Sequence, residues 1–397
     1  MSANEVILKN PERFSGEYEI PKQKLVSAIE KSLDKIEENL DKFGADKYVN
    51  SCSVNFRYSP GENNNWVCGM NTALYWLAYE FTGNKKFYDA AKIQSDSFRP
   101  RLDNRVCLGT HDVGFTYSPS CVSAYKITGE ESYRQTALDA AQFLYDVHYS
   151  KKGGFIVRAI DLVDNEIGCR TMMDSLMNSP LLFWAGKELG KKELTDAAIS
   201  QYEITRKHLI RDDYSSFHHF QFEPGTHKPV RGLTFQGYSD DSCWSRGQAW
   251  GVYGFPISYS YTKDKSLIDL HKNVTYYMLN HLPDDLIPYW DFVFTSGDEP
   301  RDSSAAAISV CGMLEMCKHL PDTAEHKQVF KTASAKILES LIDNYSGCAG
   351  IEGDGLIFHV AGAVPQKIGL DECAMYGDMY YLEALMRTYN PDWEMYW

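Results

Sequence analysis

Two aspartates stand where a polar loop gives way to an apolar run, a setting in which a carboxyl group is costly to ionise. Asp174 lies in Thr171-Met-Met-Asp-Ser-Leu-Met-Asn178, and the apolar run 180–185 follows it closely. Because desolvation disfavours the charged form of a carboxyl group, such an aspartate is suited to donate a proton near neutral pH. The alternative interpretation is an N-cap for a helix that begins at Ser175.

Asp112 lies in His111-Asp-Val-Gly-Phe115, which also leads from a loop into an apolar helix. Capping is again the plain interpretation of this residue taken alone. If both aspartates stand at the N-terminal ends of inner helices of a ring, however, both point into one central cavity. Paired carboxylates are the usual machinery of glycoside hydrolysis, so the pair is more informative than either member.

The densest polar and aromatic cluster in the chain runs from Gln236-Gly-Tyr-Ser-Asp240 to Trp244-Ser-Arg-Gly-Gln-Ala-Trp250. Aromatic faces stack on sugar rings, and the guanidinium of Arg246 is suited to bind a carboxylate with two hydrogen bonds. The alternatives are a structural ion pair of Arg246 with Asp240 or Asp241, and simple core packing of the tryptophans.

Several classes of protein are excluded by what the sequence lacks. Its formal net charge of −14 is opposite to what binding to nucleic acid or to an anionic membrane requires. None of the dinucleotide, P-loop, zincin or nucleophile-elbow motifs occurs. The neighbours His218 and His219 are not expected to face the same way, and the ten cysteines form no C-x-x-C pair. We therefore predict no metal, no cofactor and no disulfide framework.

The N-terminal segment shows no signal-peptide pattern, and the longest apolar stretch, near 305–314, is too short to cross a bilayer. We expect a cytoplasmic protein without a membrane partner. The sequence does not indicate an oligomeric state.

Two kinds of helical segment alternate along the chain. They must position the candidate site residues described in the preceding paragraphs. Some, such as 22–43, are amphipathic, whereas others, such as 73–79 and 305–310, are apolar on nearly every face. Glycines such as Gly83 and Gly129 fall where a left-handed C-cap ends the first helix of a pair. The repeating unit is therefore a helical hairpin.

The pattern predicts about a dozen helices, which fall near 22–43, 66–81, 85–101, 113–127, 131–148, 172–189, 191–209, 245–261, 265–281, 303–319, 325–345 and 374–390. Six inner and six outer helices make an all-α fold, an (α/α)6 barrel of six helical hairpins arranged as a closed ring. An open solenoid is the alternative, but its repeat has a fixed, short period, whereas the hairpins here are separated by uneven loops.

Function is expected at the rim of the barrel, because long loops on a rigid scaffold are where sites are built. The predicted rim loops are 44–65, 150–170, 211–244 and 283–301. No linker rich in proline, glycine or serine divides the chain, so we predict that 1–397 is a single domain.

At these residues the sequence resembles the unsaturated glucuronyl hydrolases of glycoside hydrolase family 88. The segments that carry the resemblance follow family order: Trp66, His111-Asp-Val-Gly-Phe115, Thr171-Met-Met-Asp-Ser-Leu-Met-Asn178, Phe217-His218, Gln236-Gly-Tyr-Ser-Asp240, Trp244-Ser-Arg-Gly-Gln-Ala-Trp-Gly251 and Tyr376-Gly-Asp-Met-Tyr-Tyr-Leu-Glu-Ala384. The resemblance implies a metal-free (α/α)6-barrel hydrolase that removes the 4,5-unsaturated uronic acid left by polysaccharide lyases at a non-reducing end. In this family an acid protonates C4, water adds at C5, and the resulting hemiketal opens and expels the partner sugar.

Carried over position by position, the resemblance makes Asp174 the general acid and base, and Asp112 the residue that positions the sugar hydroxyls. The residues that it places around the unsaturated ring and its carboxylate are His218, Gln236 and Arg246, with Trp66 and Trp250 as aromatic walls.

The subsite for the partner sugar departs from the family pattern. Met70-Asn-Thr-Ala73 replaces a Phe-Trp-x-Gly string, and Ala159 replaces a stacking tryptophan. Phe235 stands where members that accept sulfated disaccharides carry an arginine, and Gln366 and Lys367 fall within the place of a serine and lysine run. We therefore expect an altered subsite that has lost recognition of sulfate. The alternative is that Lys367, one residue out of register, compensates.

The predicted reaction is release of the unsaturated uronic acid from glycosaminoglycan-type disaccharides. An unsaturated rhamnogalacturonyl or ulvan-type uronyl hydrolase on the same barrel is an alternative, because the altered subsite is compatible with rhamnose. From other classes, a sugar epimerase or a non-catalytic carbohydrate-binding barrel shares the ring, but the pair of aspartates argues against both.

Overall fold

Helices make up most of the computed structural model, which describes residues 5–159 and 169–397. Fifteen α-helices occur in these ranges: α1 Lys22–Phe43, α2 Cys68–Thr82, α3 Lys85–Asp96, α4 Phe98–Asp103, α5 Val113–Tyr117, α6 Ser123–Thr128, α7 Glu131–Phe143, α8 Ser175–Asn178, α9 Pro180–Leu189, α10 Lys192–His208, α11 Ser245–Thr262, α12 Ser266–Asn280, α13 Ser303–His319, α14 Glu325–Tyr345 and α15 Met375–Tyr389. Three of the predicted helices are each divided in two by a break. The resulting pairs are α3 and α4, α5 and α6, and α8 and α9. Pro180 begins α9 directly after such a break, as expected of a residue that has no backbone N–H to continue a helix.

The inner helices form a closed ring. In chain order α2, α5, α8, α11, α13 and α15 each contact the next, and α15 contacts α2 to complete the circle. On the outside, α3 packs on α2, α7 on α5, α10 on α8 and α9, α12 on α11, α14 on α13, and α1 on α15. The predicted (α/α)6 barrel of six hairpins is confirmed, and an open solenoid is excluded.

Two glycines allow the first inner helices to approach each other backbone to backbone. A Cβ on Gly69 of α2 would lie 2.3 Å from the carbonyl oxygen of Thr116 in α5. A Cβ on Gly114 of α5 would lie 2.3 Å from the Cα of Asn178 in α8. Because neither position has room for a side chain, the N-terminal ends of these helices, and the loops before them, are brought close together.

Short antiparallel strands organise the rim. β1 Tyr48–Val49 pairs with β2 Pro60–Gly61, and β3 Tyr149–Ser150 pairs with β4 Phe155–Ile156. A three-stranded sheet consists of β5 Arg170–Met172, β6 His219–Phe222 and β7 Pro229–Leu233, in that order. Its register pairs Met172 with His219, which ties the segment before Asp174 to the segment that carries His218.

Part of one predicted rim loop, 160–168, lies outside the described residues. None of the described helices combines the length and the apolar character needed to cross a membrane.

Candidate active site

The cavity that contains both predicted aspartates lies at the N-terminal ends of the inner helices. It has a volume of about 270 Å³, and its walls include Trp66 before α2, Asp112 before α5, Asp174 before α8, Arg246 in the first turn of α11 and Tyr376 in the first turn of α15. Helix N-termini carry partial positive charge, so this end of the barrel favours an anionic ligand.

Asp112 and Asp174 both occupy N-cap positions, yet neither side chain caps its helix. The Oδ2 atom of Asp112 accepts a hydrogen bond from the Thr110 hydroxyl at 2.8 Å. Oδ1 of Asp174 lies 2.8 Å from Nε2 of His111, and no described residue hydrogen-bonds to its Oδ2. The capping interpretation therefore explains where these residues stand along the chain but not what their carboxylates do.

His111 lies between the two carboxylates. Its Nε2 atom is 2.8 Å from Asp174 Oδ1 and 3.7 Å from Asp112 Oδ1, while its Nδ1 atom is 3.3 Å from the carbonyl oxygen of Arg158. Burial by itself would lower the pKa of His111, but the charges of Asp112 and Asp174 outweigh it and raise the pKa to about 9. At neutral pH the ring is therefore an imidazolium that donates from both nitrogens.

His218 is a neutral hydrogen-bond donor in the same cavity. Its Nδ1 atom accepts from the backbone N–H groups of Phe235 and Gln236, each at 3.1 Å, so the ring proton resides on Nε2. Nε2 is buried without a partner among the described residues. Burial and the neighbouring positive charges lower the pKa of His218 well below its ordinary value, so it stays uncharged.

The ring of His219 is directed elsewhere, with Nε2 3.0 Å from the guanidinium of Arg170. Adjacent histidines thus face different partners. Within the described part of the chain, no three histidine, cysteine or carboxylate side chains come together as metal ligands.

Arg246 has a structural role as well as a place in the cavity wall. Nη1 donates to Asp302 at 2.5 Å and to the carbonyl of Ala361 at 2.6 Å, and Nη2 donates to the carbonyl of Gly362 at 2.6 Å. The alternative interpretation, a structural ion pair, is right in kind but wrong in partner: Arg246 pairs with Asp302, the N-cap residue of α13, rather than with Asp240 or Asp241. The guanidinium lies in the cavity wall, but Asp302 already neutralises its charge.

Aromatic walls surround this cationic group. The guanidinium carbon of Arg246 lies 4.5 Å from the centre of the Trp244 ring and 4.8 Å from that of Tyr376. Trp66 stacks on Tyr376 with ring centres 5.3 Å apart. Trp250 is only 2% exposed and packs in the core, and it also lines the cavity. Its role as an aromatic wall for a sugar stays a prediction.

The residues assigned to the partner-sugar subsite separate into two groups. Met70 is completely buried within α2 and does not line the cavity, which corrects its assignment to that subsite. Its position on the helix turns its side chain into the core. Phe235 lines the cavity and is 48% exposed, and its carbonyl accepts from Gln366 Nε2 at 2.6 Å. Lys367 follows in a left-handed turn, and its side chain is not part of the cavity wall.

The cavity residues to which sequence reasoning gave no role include His111, Arg158 and Tyr376. His111 and Tyr376 lie within recognised motifs, so their neighbours offered a signal. Arg158 belongs to a rim segment without periodicity, and nothing in the sequence marked it.

The model of glycosyl hydrolase family 88 matches residues 42–388 of the chain. The chain belongs to this family. An unsaturated chondroitin disaccharide hydrolase of Streptococcus pneumoniae is 43% identical to this family 88 chain over 391 residues, which make up 98% of each protein. The crystal structure of unsaturated glucuronyl hydrolase from Streptococcus agalactiae superposes with a TM-score of 0.95 at 40% identity and covers all of both chains.

A second structure of the Streptococcus agalactiae enzyme, an aspartate-to-asparagine mutant complexed with dGlcA-GalNAc6S, also covers both chains fully, with a TM-score of 0.88 and 38% identity. The predicted family and enzyme class are thereby confirmed. This family 88 chain is a glycoside hydrolase.

Proposed function

We propose that this family 88 enzyme releases the 4,5-unsaturated uronic acid from the non-reducing end of glycosaminoglycan-type disaccharides, by hydration of the C4=C5 bond. The observation that carries the proposal is the convergence of the Asp112 and Asp174 carboxylates on His111 in one cavity at the N-terminal ends of the inner helices. Its relatives named as unsaturated chondroitin disaccharide and glucuronyl hydrolases support the substrate class.

Asp174 is the general acid and base in this proposal. The step starts from the carboxylic acid form of Asp174, in which Oδ1 accepts from His111 and the proton resides on Oδ2. Oδ2 has no partner among the described residues and delivers this proton to C4. Protonation leaves a cation at C5 that the ring oxygen stabilises. Water then adds at C5 and returns a proton to the Asp174 carboxylate, so the acid is restored at the end of the cycle.

The hemiketal formed at C5 opens by breaking the bond between C5 and the ring oxygen. C1 then carries a free hydroxyl beside the glycosidic oxygen, and this hemiacetal collapses to an aldehyde and expels the partner sugar. One water molecule is consumed for each disaccharide, and no charged intermediate needs to form at C1.

The other cavity residues hold the ring in place for this chemistry. Asp112 accepts hydrogen bonds from sugar hydroxyls, and the unpartnered Nε2–H of His218 donates to an oxygen of the substrate. Trp66 and Trp250 supply aromatic walls, and Gln236 is anchored through its backbone on His218. Arg246 forms part of the cavity wall, but its ion pair and hydrogen bonds go to protein groups.

The test uses the ultraviolet absorbance of the C4=C5 bond, which is conjugated with the carboxylate and is lost on hydration. Purified enzyme is mixed separately with unsaturated chondroitin, hyaluronan, heparin and ulvan lyase products. We expect loss of absorbance with at least one glycosaminoglycan product, together with release of a free reducing sugar. A parallel reaction with Asp174→Asn is the control for non-enzymatic decay.

Activity on the ulvan product alone would contradict the glycosaminoglycan assignment and identify a rhamnose-containing substrate instead. Exchange of substrate protons with solvent, without loss of absorbance, would contradict hydration itself. Location in the cytoplasm, the single-domain organisation and the absence of a cofactor stay predictions.

A further inference from the structure

Three cationic groups line the described cavity, besides the neutral His218, and two of them have their counter-ions within the protein. The guanidinium of Arg246 is paired with Asp302, and the ring of His111 lies between the two carboxylates of the site. Arg158 also lines the cavity, but its guanidinium forms no ion pair or hydrogen bond with any described residue. A guanidinium in a partly enclosed site is stabilised by an anion, and none of the residues in 5–159 and 169–397 provides one here.

The backbone of Arg158 is held firmly. Its N–H donates to the carbonyl of Arg170 at 2.8 Å, and its carbonyl accepts from the N–H of His111 at 3.1 Å. The neighbouring residue Ala159 forms a bridge with Thr110. The side chain therefore projects from a fixed point beside the catalytic pair.

The Arg158 guanidinium rests on the ring of Phe235, with its central carbon 5.5 Å from the ring centre. Phe235 is itself fixed, because its N–H donates to His218 and its carbonyl accepts from Gln366. Phe235 and Ile368, both lining the cavity, are 48% and 56% exposed. This pair of exposed side chains places the Arg158 group at the mouth of the cavity.

The order of the two sugars follows from the chemistry. The unsaturated ring must reach Asp174, whose side chain is 15% exposed, and it is the terminal sugar of the substrate. The partner sugar therefore lies toward the mouth, beside Phe235 and Arg158. A charged substituent on that sugar would meet the one cavity cation that has no counter-ion among the described residues.

We propose that Arg158, stacked on Phe235, is the specificity residue that recognises an anionic substituent, a sulfate, on the partner sugar. This proposal rests on the proposed function and deepens it. It also revises the expectation about sulfate recognition that was drawn from the sequence. Phe235 replaces the arginine of other family members, but Arg158 stacks on Phe235 and so brings a guanidinium to the same place. Guanidinium groups bind sulfate-like oxyanions with two charge-assisted hydrogen bonds.

The experiment compares kcat/KM for the unsaturated chondroitin disaccharide with and without a 6-sulfate, followed by loss of ultraviolet absorbance. The ratio of the two values within one preparation is independent of the fraction of folded enzyme. We expect the wild type to favour the sulfated substrate, and Arg158→Gln to lower this preference about tenfold. Arg158→Lys should keep an intermediate preference, since it retains the charge without the planar fork.

Arg231→Gln is the matched control, because Arg231 is an exposed arginine of strand β7 that does not line the cavity and should leave the ratio unchanged. Equal losses on both substrates in Arg158→Gln would overturn the proposal and assign the guanidinium to the carboxylate shared by both. An unchanged ratio would overturn it as well. Failure of the proposed function is distinguishable, because the wild type would then consume none of the chondroitin, hyaluronan and heparin products.

Discussion

The two ends of the barrel both contain clustered charges, but they are built differently. At the C-terminal ends of the inner helices, Arg387 donates from Nη1 to Glu315 at 2.6 Å, from Nε to Glu383 at 2.8 Å and from Nη2 to the hydroxyl of Tyr253 at 2.7 Å. All four side chains are almost fully buried. Glu315 also accepts from His319, and burial is outweighed by Arg387 and its neighbours, which lower the pKa of Glu315.

At the N-terminal ends the charges are left incomplete. One oxygen of Asp174 and one nitrogen of His218 have no partner among the described residues, and Arg158 has no counter-ion there. Each charge of the closed network is satisfied by the protein, so removal of one member would leave a buried charge without its partner. The open cluster has hydrogen-bonding groups that the described residues leave available to a ligand, which is the physical difference between a structural network and a site.

The largest effect is expected from Asp174→Asn at the open end. Removing the proton that must reach C4 should lower kcat about a thousandfold, within the usual range for loss of a general acid. The substitution is nearly isosteric and keeps an oxygen that can accept from His111, so substrate should still bind. Rates come from the loss of ultraviolet absorbance, and binding comes from calorimetry. Residual activity above a tenth of the wild type would contradict the assignment.

Arg387→Met at the closed end should affect stability rather than chemistry. It leaves Glu315 and Glu383 buried without their cation, a change that typically costs about 3 kcal/mol of unfolding free energy. Denaturant titration measures this loss. The control is Lys192→Met, which breaks the exposed pair with Asp196 and should cost less than about 0.5 kcal/mol. A large fall in kcat of the folded Arg387 variant would show that the two ends are coupled.

His111→Gln tests the cation between the carboxylates through the pH dependence of stability. The folded pKa of His111 is raised from 6.5 to about 9, so its contribution is fully present below pH 6.5 and is lost as pH rises through about 9. The difference in unfolding free energy between the wild type and the variant should therefore decrease by about 1.4 kcal/mol per pH unit within this pH range. Chemical denaturation at several pH values measures it, and a constant difference would refute the cationic state.

His218→Asn should have the smallest effect. The asparagine oxygen can replace Nδ1 as acceptor for the Phe235 and Gln236 N–H groups, while the donor that faces the cavity is lost. We expect kcat/KM to fall about tenfold, the cost of one hydrogen bond to a charged or polar group. Because His218 is neutral in the folded enzyme, the factor should be the same at about pH 6 and pH 8. A factor that changes strongly with pH would assign a charge to this ring.

Much of the barrel was predictable because helix formation follows local periodicity. The bounds of α1, α13 and α14 coincide with those predicted from the sequence. The breaks between α3 and α4 and between α8 and α9 were not predicted, because a helix and its continuation share the same apolar spacing. Met70 shows the limit of an ungapped motif comparison, since the direction of its side chain depends on the rotation of α2 within the ring.

The sequence by itself determined the hairpin repeat, the family motifs and the two aspartates that stand before α5 and α8, because each is encoded within a few neighbouring residues. Only the tertiary structure decided how the charges pair. Asp302, rather than Asp240 or Asp241, neutralises Arg246, and Arg158 meets Phe235 from a distant rim segment. These partners are remote in sequence and become neighbours when the ring closes, so spacing along the chain carries no information about them.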